Sequence, residues 1–215
     1  MNLTVNHYGP EYYEEHRDAG LDYLGHGEWQ ENYAKWMVES LGLKPGMKML
    51  DVGCACGSIL EGFRKQGLEC VGIDLSEHMI KLGREKFPGL RLEIMDAVNM
   101  HLFKIGEFDF VHSAQVAEHW NPDLVPFILY EISRVMNLES RFFCCMDTLD
   151  FFMRHNRNPT GAGEDPTHQC LKPLFWWKAV AHDQFLFSAP MDDLKAHELS
   201  YFNQYDWDAL LLQTI

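Results

Sequence analysis

Short apolar runs separated by amphipathic stretches organise this chain. Met49, Leu50 and Val52 form the first run, and further runs cover residues 70–73, 90–95, 108–113 and 142–146. Runs of this length, bounded by Gly, Pro and Asp, read as strands buried in a sheet. Before the first run, residues 11–41 carry helical periodicity through Tyr33, Trp36, Met37 and Leu41, ending near Gly42 with Pro45-Gly46 as a turn. Residues 59–66 read as a helix. Ser76 caps another that runs to Phe87, where Pro88-Gly89 stops it. Pro122 opens a helix through Met136, with Leu124, Phe127, Ile128, Ile132 and Val135 at helical spacing.

Residues 148–171, with Pro159, Gly161, Gly163 and Pro166, read as an irregular, mobile excursion. A helix over 173–182 and short strands near 184–187 and 208–213 close the chain. Strands alternating with helices predict an α/β fold, a mostly parallel sheet covered on both faces. The late strand pair predicts an antiparallel finish, which a plain dinucleotide-binding fold does not need. No repeat, low-complexity tract or composition shift marks a second independent domain. Residues 1–45 read as an N-terminal helical cap or lid, and 46–215 as the main domain with a substrate-side insertion at 148–171.

Composition narrows the partners. Acids outnumber bases 32 to 18, for a net charge of −14, which argues against nucleic acid and against anionic membrane surfaces. The N-terminus is polar and acidic, and no apolar run is long enough to span a bilayer, so a cytoplasmic protein is expected. The six cysteines fall mostly in expected strands or beside glycines, as reduced buried thiols do. Cys54-x-Cys56 has the form of half a metal site, but no second Cys or His pair has suitable spacing, and no metal is expected. A neutral or cationic small ligand fits this balance, and nothing in the pattern specifies an oligomeric state.

The chemistry concentrates at 47–58, MKMLDVGCACGS. The strand there ends at Asp51 and enters a loop of small residues, Gly53, Ala55, Gly57 and Ser58, against which a ligand can lie. The helix that follows offers its N-terminal N–H groups. The next strand ends at Asp74, where a carboxylate can accept two hydrogen bonds from a ribose diol. The glycines do not have G-x-G-x-x-G spacing, and no Gly-Lys-Ser/Thr follows, so neither a nicotinamide fingerprint nor a phosphate loop is present.

The D-x-G-x-A-x-G pattern with an acid at the next strand end resembles the class I S-adenosylmethionine-dependent methyltransferases. VGIDLSEHMI, Asp96-Ala97 and FDFVHSAQVAEHW resemble that family's later motifs. DVGCAxG, DPTHQCLKPLFWW and the closing YDWDALLLQ look like a bacterial subgroup acting on sugars, surface glycans or small metabolites. The resemblance implies a Rossmann-like, seven-stranded, mostly parallel sheet with an antiparallel last strand and helices on both faces. It implies S-adenosyl-L-methionine as cofactor and S-adenosyl-L-homocysteine as product. Asp51, Gly53, Cys54, Ala55 and Gly57 would form the cofactor loop, and Asp74, Leu75 and Met79 would surround the ribose. Asp96 and Ala97 would hold the adenine, with Ser113 and Gln115 completing the site. The chain departs from the family in three places. Ala55 replaces a commoner glycine, Asn137 to Ser140 replaces a glycine-rich turn before the fifth strand, and AHDQFLFS lacks the usual Gly-Phe.

Methyl transfer needs an acceptor lone pair held in line with the sulfonium, and a hydroxyl acceptor also needs a base. His119 and His168 are the candidate bases; Glu118-His119 could instead cap the helix that Pro122 opens and orient the loop, and His168 could anchor a loop. His112, inside a strand, reads as a core histidine, and His155, beside Arg154 and Arg157, as a solvated loop residue. The cofactor carboxylate needs a donor, which Tyr8, Tyr12, Tyr13, His16 and Arg17 offer. Trp176 and Trp177 read as core rather than as a substrate platform. The expected function is methyl transfer to a small-molecule or sugar acceptor, at oxygen. The alternatives are a non-catalytic cofactor-binding protein and transfer to a protein, peptide or nitrogen acceptor. A nucleic acid base is disfavoured, since Asn121-Pro122-Asp123 lacks the second proline and aromatic residue that such enzymes carry.

Overall fold

The computed structural model describes residues 8–18, 25, 27–159, 165–189 and 208–214, with the backbone alone at 15–18. Two helices precede the sheet, α1 (Pro10–Asp18) and α2 (Glu28–Leu41). The expected helical stretch over 11–41 is therefore divided. Gly27 stands before α2 in an extended conformation, and its N–H donates to the Gln30 side chain at 2.8 Å. Gly42 ends α2 at φ +64, a left-handed cap that a residue with a side chain adopts at a cost.

The sheet then forms in alternation. β1 (Lys48–Val52), α3 (Ser58–Lys65), β2 (Glu69–Asp74), α4 (Glu77–Lys86) and β3 (Arg91–Ile94) make the first half. β4 (Phe108–Ala114), a 3-10 turn (Ala117–His119), α5 (Val125–Val135) and β5 (Met136–Met146) follow. α6 (Leu149–Arg154), α7 (Leu174–Asp183), β6 (Phe187–Ser188) and β7 (Asp208–Gln213) complete it. The seven strands lie in the order β3-β2-β1-β4-β5-β7-β6, and β7 runs antiparallel to both neighbours. The antiparallel finish is thus present. Because β2 and β4 flank β1, the chain winds outward in both directions from that pair. The ends of β1 and β4 therefore border a crevice in which ligands of open α/β sheets bind.

Alternate strand residues build two apolar layers. Met49, Phe110, Phe143, Cys145 and Leu211 face the layer covered by α2, α3 and α4. Leu50, Val111, Phe142, Cys144, Leu210 and Leu212 face the layer covered by α5 and α7. Trp177 is buried in the second layer and Trp176 packs against it, as core residues. All six cysteines are buried and free.

Three expected boundaries move. α5 starts at Val125 rather than Pro122, because residues 121–124 form a turn in which Asn121 Oδ1 accepts from Asp123 N–H. β5 begins at Met136, six residues before the apolar run that announces it. Its ladder to β4 shifts register, pairing Phe108 with Met136 but Phe110 with Arg141, and Glu139 adopts φ +64 in the offset. A bulge thus stands where the family resemblance leads one to expect a glycine turn. β6 is only Phe187–Ser188, later than the expected 184–187.

Within 148–171 the described residues include the helix α6, which the composition does not announce. Thr148 caps α6 by accepting from Phe151 N–H, and its hydroxyl donates to Asp208 on β7. Arg154 adds an ion pair to the same Asp208 at 2.9 Å. No helix among the described residues is long and apolar enough to cross a membrane.

Candidate active site

The loop after β1 turns because Gly53 adopts φ +78. A Cβ there would stand 2.4 Å from Val116 Cγ2, so any side chain would collide with the 114–119 segment. The N–H groups of Gly53 and Cys54 both donate to Ile73 O, at 2.8 and 3.0 Å, which fixes the loop to β2. Ala55 follows at φ +48, and its N–H donates to Asp74 Oδ2 at 2.8 Å. Asp74 Oδ1 accepts from Ser76 N–H at 2.7 Å. Burial pushes this carboxyl above its ordinary range, while the backbone hydrogen bonds from Ser76 and Ala55 oppose the shift. Each oxygen keeps a further lone pair for a ligand.

Gln115, at the end of β4, is a second non-glycine residue with positive φ, at +56. Backbone held in this region by its surroundings concentrates at functional sites. Ala55 and Gln115 both line one cavity of about 580 Å³, within the range of about 300–1,000 Å³ typical of ligand sites. Asp51, Gly53, Cys54, Asp74, Leu75, Asp96, Ala97, Tyr12 and Tyr13 line it too. Gly57, Met79 and Ser113 do not. Gly57 precedes α3 in a left-handed conformation, Met79 is fully buried, and the Ser113 hydroxyl donates to Val52 O. Those three stand behind the cavity wall.

The far wall is aromatic. Tyr8, Tyr12 and Tyr13 come from the N-terminal segment, and Trp29 stacks on Tyr33 of α2 at 5.4 Å. The side chains of His16 and Arg17 lie outside the described residues. The N-terminal segment is tied down twice. Ser76 Oγ donates to Tyr8 O at 2.6 Å, and Tyr12 Oη donates to Asp165 Oδ2 at 3.0 Å. Burial, followed by the charges of Asp165 and Asp74, pushes the Tyr8 hydroxyl far above its ordinary value, so it stays protonated.

His112 also lines the cavity, where its Nδ1 lies 2.8 Å from Asp51 Oδ1 and its Nε2 2.7 Å from Tyr33 Oη. Its ring is 1% exposed and stacks on Phe143 at 5.9 Å. This is a core histidine with both ring nitrogens engaged.

His119 borders the cavity too, with Trp120, Asn121 and Gln169, and its ring centroid lies 6.1 Å from that of Tyr8. The segment 165–170 docks on the 3-10 turn, with Cys170 N–H donating to Glu118 O and Gln169 Nε2 to His119 O. His119 and His168, far apart in sequence, thereby meet with ring centroids 4.7 Å apart. Glu118 does not cap α5, whose N-cap Leu124 makes no side-chain cap bond. It is buried instead, and burial together with the Asp147 charge pushes its carboxyl up to about 8.

The tautomer of His119 follows from its neighbours. The Thr167 hydroxyl donates to Asp165 Oδ1 at 2.6 Å, and the Thr167 N–H donates to the same oxygen at 2.8 Å. Burial raises the Asp165 pKa, but these two hydrogen bonds outweigh it and hold the group at about 2. The hydroxyl proton being committed, Thr167 Oγ1 can only accept from His119 Nδ1, 2.7 Å away. His119 Nε2 is left as the nitrogen with a lone pair.

Trp29, Gln30, Tyr33, Asn121 and Gln169 line the cavity without having been singled out from the sequence. For Trp29 and Tyr33 a signal existed, because residues four apart share one helix face. For Gln169 none did, since its position depends on how 165–170 folds back.

Comparison with known proteins agrees with this geometry. Residues 50–144 match the family model described as Methyltransferase domain. The chain is 37% identical over 93 residues to phosphoethanolamine N-methyltransferase 1 of Arabidopsis thaliana, covering 40% of this chain and 18% of that protein. It is 28% identical over 89 residues to a ubiquinone biosynthesis O-methyltransferase of Acinetobacter baumannii, covering 39% of this chain and 38% of that one. The chain thus spans well under half the length of these curated relatives. A TehB-like SAM-dependent methyltransferase from Corynebacterium glutamicum superposes with a TM-score of 0.66 at 20% identity, over 96% of this chain and all of that one. The match over 50–144, the strand order and the superposition agree on the architecture: this chain is built on the class I methyltransferase fold.

Proposed function

We propose that the chain binds S-adenosylmethionine and transfers its methyl group to the hydroxyl of a small molecule or sugar. The observation that carries the reading is that Asp74, Asp96 and His119 line one cavity, which in this reading takes the nucleoside at the two acids and the acceptor at the histidine. In this reading the adenosine ribose donates to the remaining Asp74 lone pairs. The Gly53 carbonyl accepts from the ammonium of the amino acid, and tyrosines of the N-terminal segment meet its carboxylate. That segment is then a lid, held shut by the Ser76–Tyr8 and Tyr12–Asp165 hydrogen bonds.

In the transfer, an oxygen–carbon bond forms as the carbon–sulfur bond breaks. The bonding pair stays on sulfur, which becomes a neutral thioether, and the acceptor loses its hydroxyl proton. The sulfonium supplies the driving force, while the protein supplies alignment and a water-poor pocket. An oxygen acceptor is favoured because Glu118, His119 and His168 gather where a proton has to be handled, and an amine acceptor in its free-base form needs no such help. Asp51 and His112 are engaged with each other and tie β1 to β4.

The test is calorimetric titration with S-adenosylmethionine and S-adenosylhomocysteine, followed by a methyl-transfer screen over sugars, phenols and amines. Saturable binding of both, lost in Asp74→Ala, together with turnover on a hydroxyl substrate, is the expected result. Binding of neither compound overturns the reading. Turnover on amines alone overturns the oxygen assignment.

A further inference from the structure

We propose that Glu118, His119 and His168 form a binding site for one divalent transition-metal ion at the acceptor end of the cavity. Each offers one donor atom, and the three donors lie within 4.8 Å of one another. Donors bound at about 2.1 Å stand at most about 4.2 Å apart, so small rotations of two imidazoles bring the set onto a cation. Two imidazoles and one carboxylate suit a borderline ion of the iron, cobalt, nickel or zinc type better than magnesium, which takes oxygen donors.

Two further observations point to a ligand here. Glu118 is 1% exposed, and its Oε2 has no hydrogen-bond partner among the described residues, while Oε1 accepts only a long 3.4 Å contact from Asp147 N–H. A buried carboxylate oxygen without a donor is costly, and a cation offsets that cost. The second observation is the support behind His119. Thr167 and Asp165 hold Nδ1 as the N–H, which leaves Nε2 with the lone pair that a metal needs. An imidazole anchored through its far nitrogen to a carboxylate is the usual outer arrangement of a metal-bound histidine. Here the Thr167 hydroxyl relays that anchor, and Tyr12 holds the other Asp165 oxygen at 3.0 Å.

Three protein donors leave coordination positions open, and His119 borders the cavity. A cation there would hold the acceptor oxygen in line with the methyl group and ease loss of its proton to solvent water. That role rests on the methyltransferase reading; the existence of the site does not. The cluster was invisible in the sequence because His168 lies 49 residues after His119.

The experiment titrates the full chain with cobalt(II) chloride, following visible absorption and heat, and measures S-adenosylhomocysteine binding on the same samples. One equivalent of cobalt per chain is expected, weakened at least tenfold in Glu118→Gln and in His168→Gln. Substituting the exposed His182 is expected to change nothing, and S-adenosylhomocysteine affinity stays within about twofold in both cluster variants. Circular dichroism checks the fold; should Glu118→Gln not fold, the half-buried His168 carries the test. No saturable cobalt uptake, or uptake undiminished in the variants, overturns the site. If S-adenosylhomocysteine binds while cobalt does not, the cation falls and the methyltransferase reading stands. If cobalt binds and S-adenosylhomocysteine does not, the reverse holds.

Discussion

Asp74 Oδ2 accepts the backbone N–H of Ala55 at 2.8 Å, so the acid ending β2 and the loop leaving β1 form one hydrogen-bonded unit. Asp74→Ala removes that anchor and, in the proposed complex, the ribose partner as well. Hydrogen bonds to a charged group are worth about 1.5–3 kcal/mol each. Cofactor affinity is expected to fall by about 100-fold or more, read by calorimetry, with Asp74→Asn intermediate.

The same carboxyl gives opposite pH trends for folding and for binding. Its folded pKa lies above the unfolded value because of burial. The stability it contributes to the free protein is therefore fully present below the unfolded pKa and is lost as pH rises through the folded one. Cofactor binding needs the ionised form and weakens as pH falls through that raised pKa. A thermal-shift series across mildly acidic pH, with and without S-adenosylhomocysteine, is expected to show the ligand-induced shift shrinking as pH drops. Asp74→Asn is expected to flatten that trend.

Gly83→Ala reverses the usual helix rule. Alanine in a helix interior is ordinarily favoured over glycine by about 1 kcal/mol. In α4, a Cβ at Gly83 would stand 2.4 Å from Cys56 O, a backbone atom of the cofactor loop. Overpacking costs about 1–3 kcal/mol, so a net loss of stability is expected, with weaker cofactor binding as the loop shifts. Thermal melts of wild type and Gly83→Ala, with and without cofactor, check both parts.

The Tyr33–His112–Asp51 chain joins α2, β4 and β1 inside the first apolar layer. Burial holds the Tyr33 hydroxyl protonated, and it donates to Nε2 while Nδ1–H donates to Asp51. Tyr33→Phe keeps the ring and loses one buried hydrogen bond, a cost of about 1–2 kcal/mol. His112→Leu leaves Asp51 without its imidazole partner and is expected to cost more. Chemical denaturation ranks the two.

Burial pushes the Cys54 and Cys144 thiols well above their usual values, and Cys70 and Cys170 to about 12. Thiolate is the reactive form. Native protein at neutral pH is expected to resist iodoacetamide at these positions and to label fully in denaturant, as mass spectrometry would record.

The parallel core of the fold was legible because buried strands are written as local apolar runs. β1, β2, β4 and β7 lie where those runs fall, and the Gly53 loop and Asp74 carry their chemistry within 25 residues of sequence. The early start of β5 was not legible. Asn137, Leu138, Glu139 and Ser140 have no strand pattern of their own; they fill the offset between the Phe108–Met136 and Phe110–Arg141 pairs, where Glu139 accepts a left-handed backbone. Nor was α6 legible within the 148–171 excursion. Its Pro and Gly content signals irregular chain, but Thr148 and Arg154 fasten one end to Asp208, a residue 54 positions after Arg154.

By itself, then, the sequence determined the alternation of strands and helices, the glycine loop at the end of β1 and the acid at the end of β2. All of these depend on interactions between near neighbours or on strict periodicity. Tertiary structure alone decided that Gln169 joins the cavity wall, and that Gly57, Met79 and Ser113 stand behind it. It also decided that Glu118, His119 and His168 share one site. Those relations come from loops closing over tens of residues, where side chains meet because backbones dock. Local pattern carries no record of that docking.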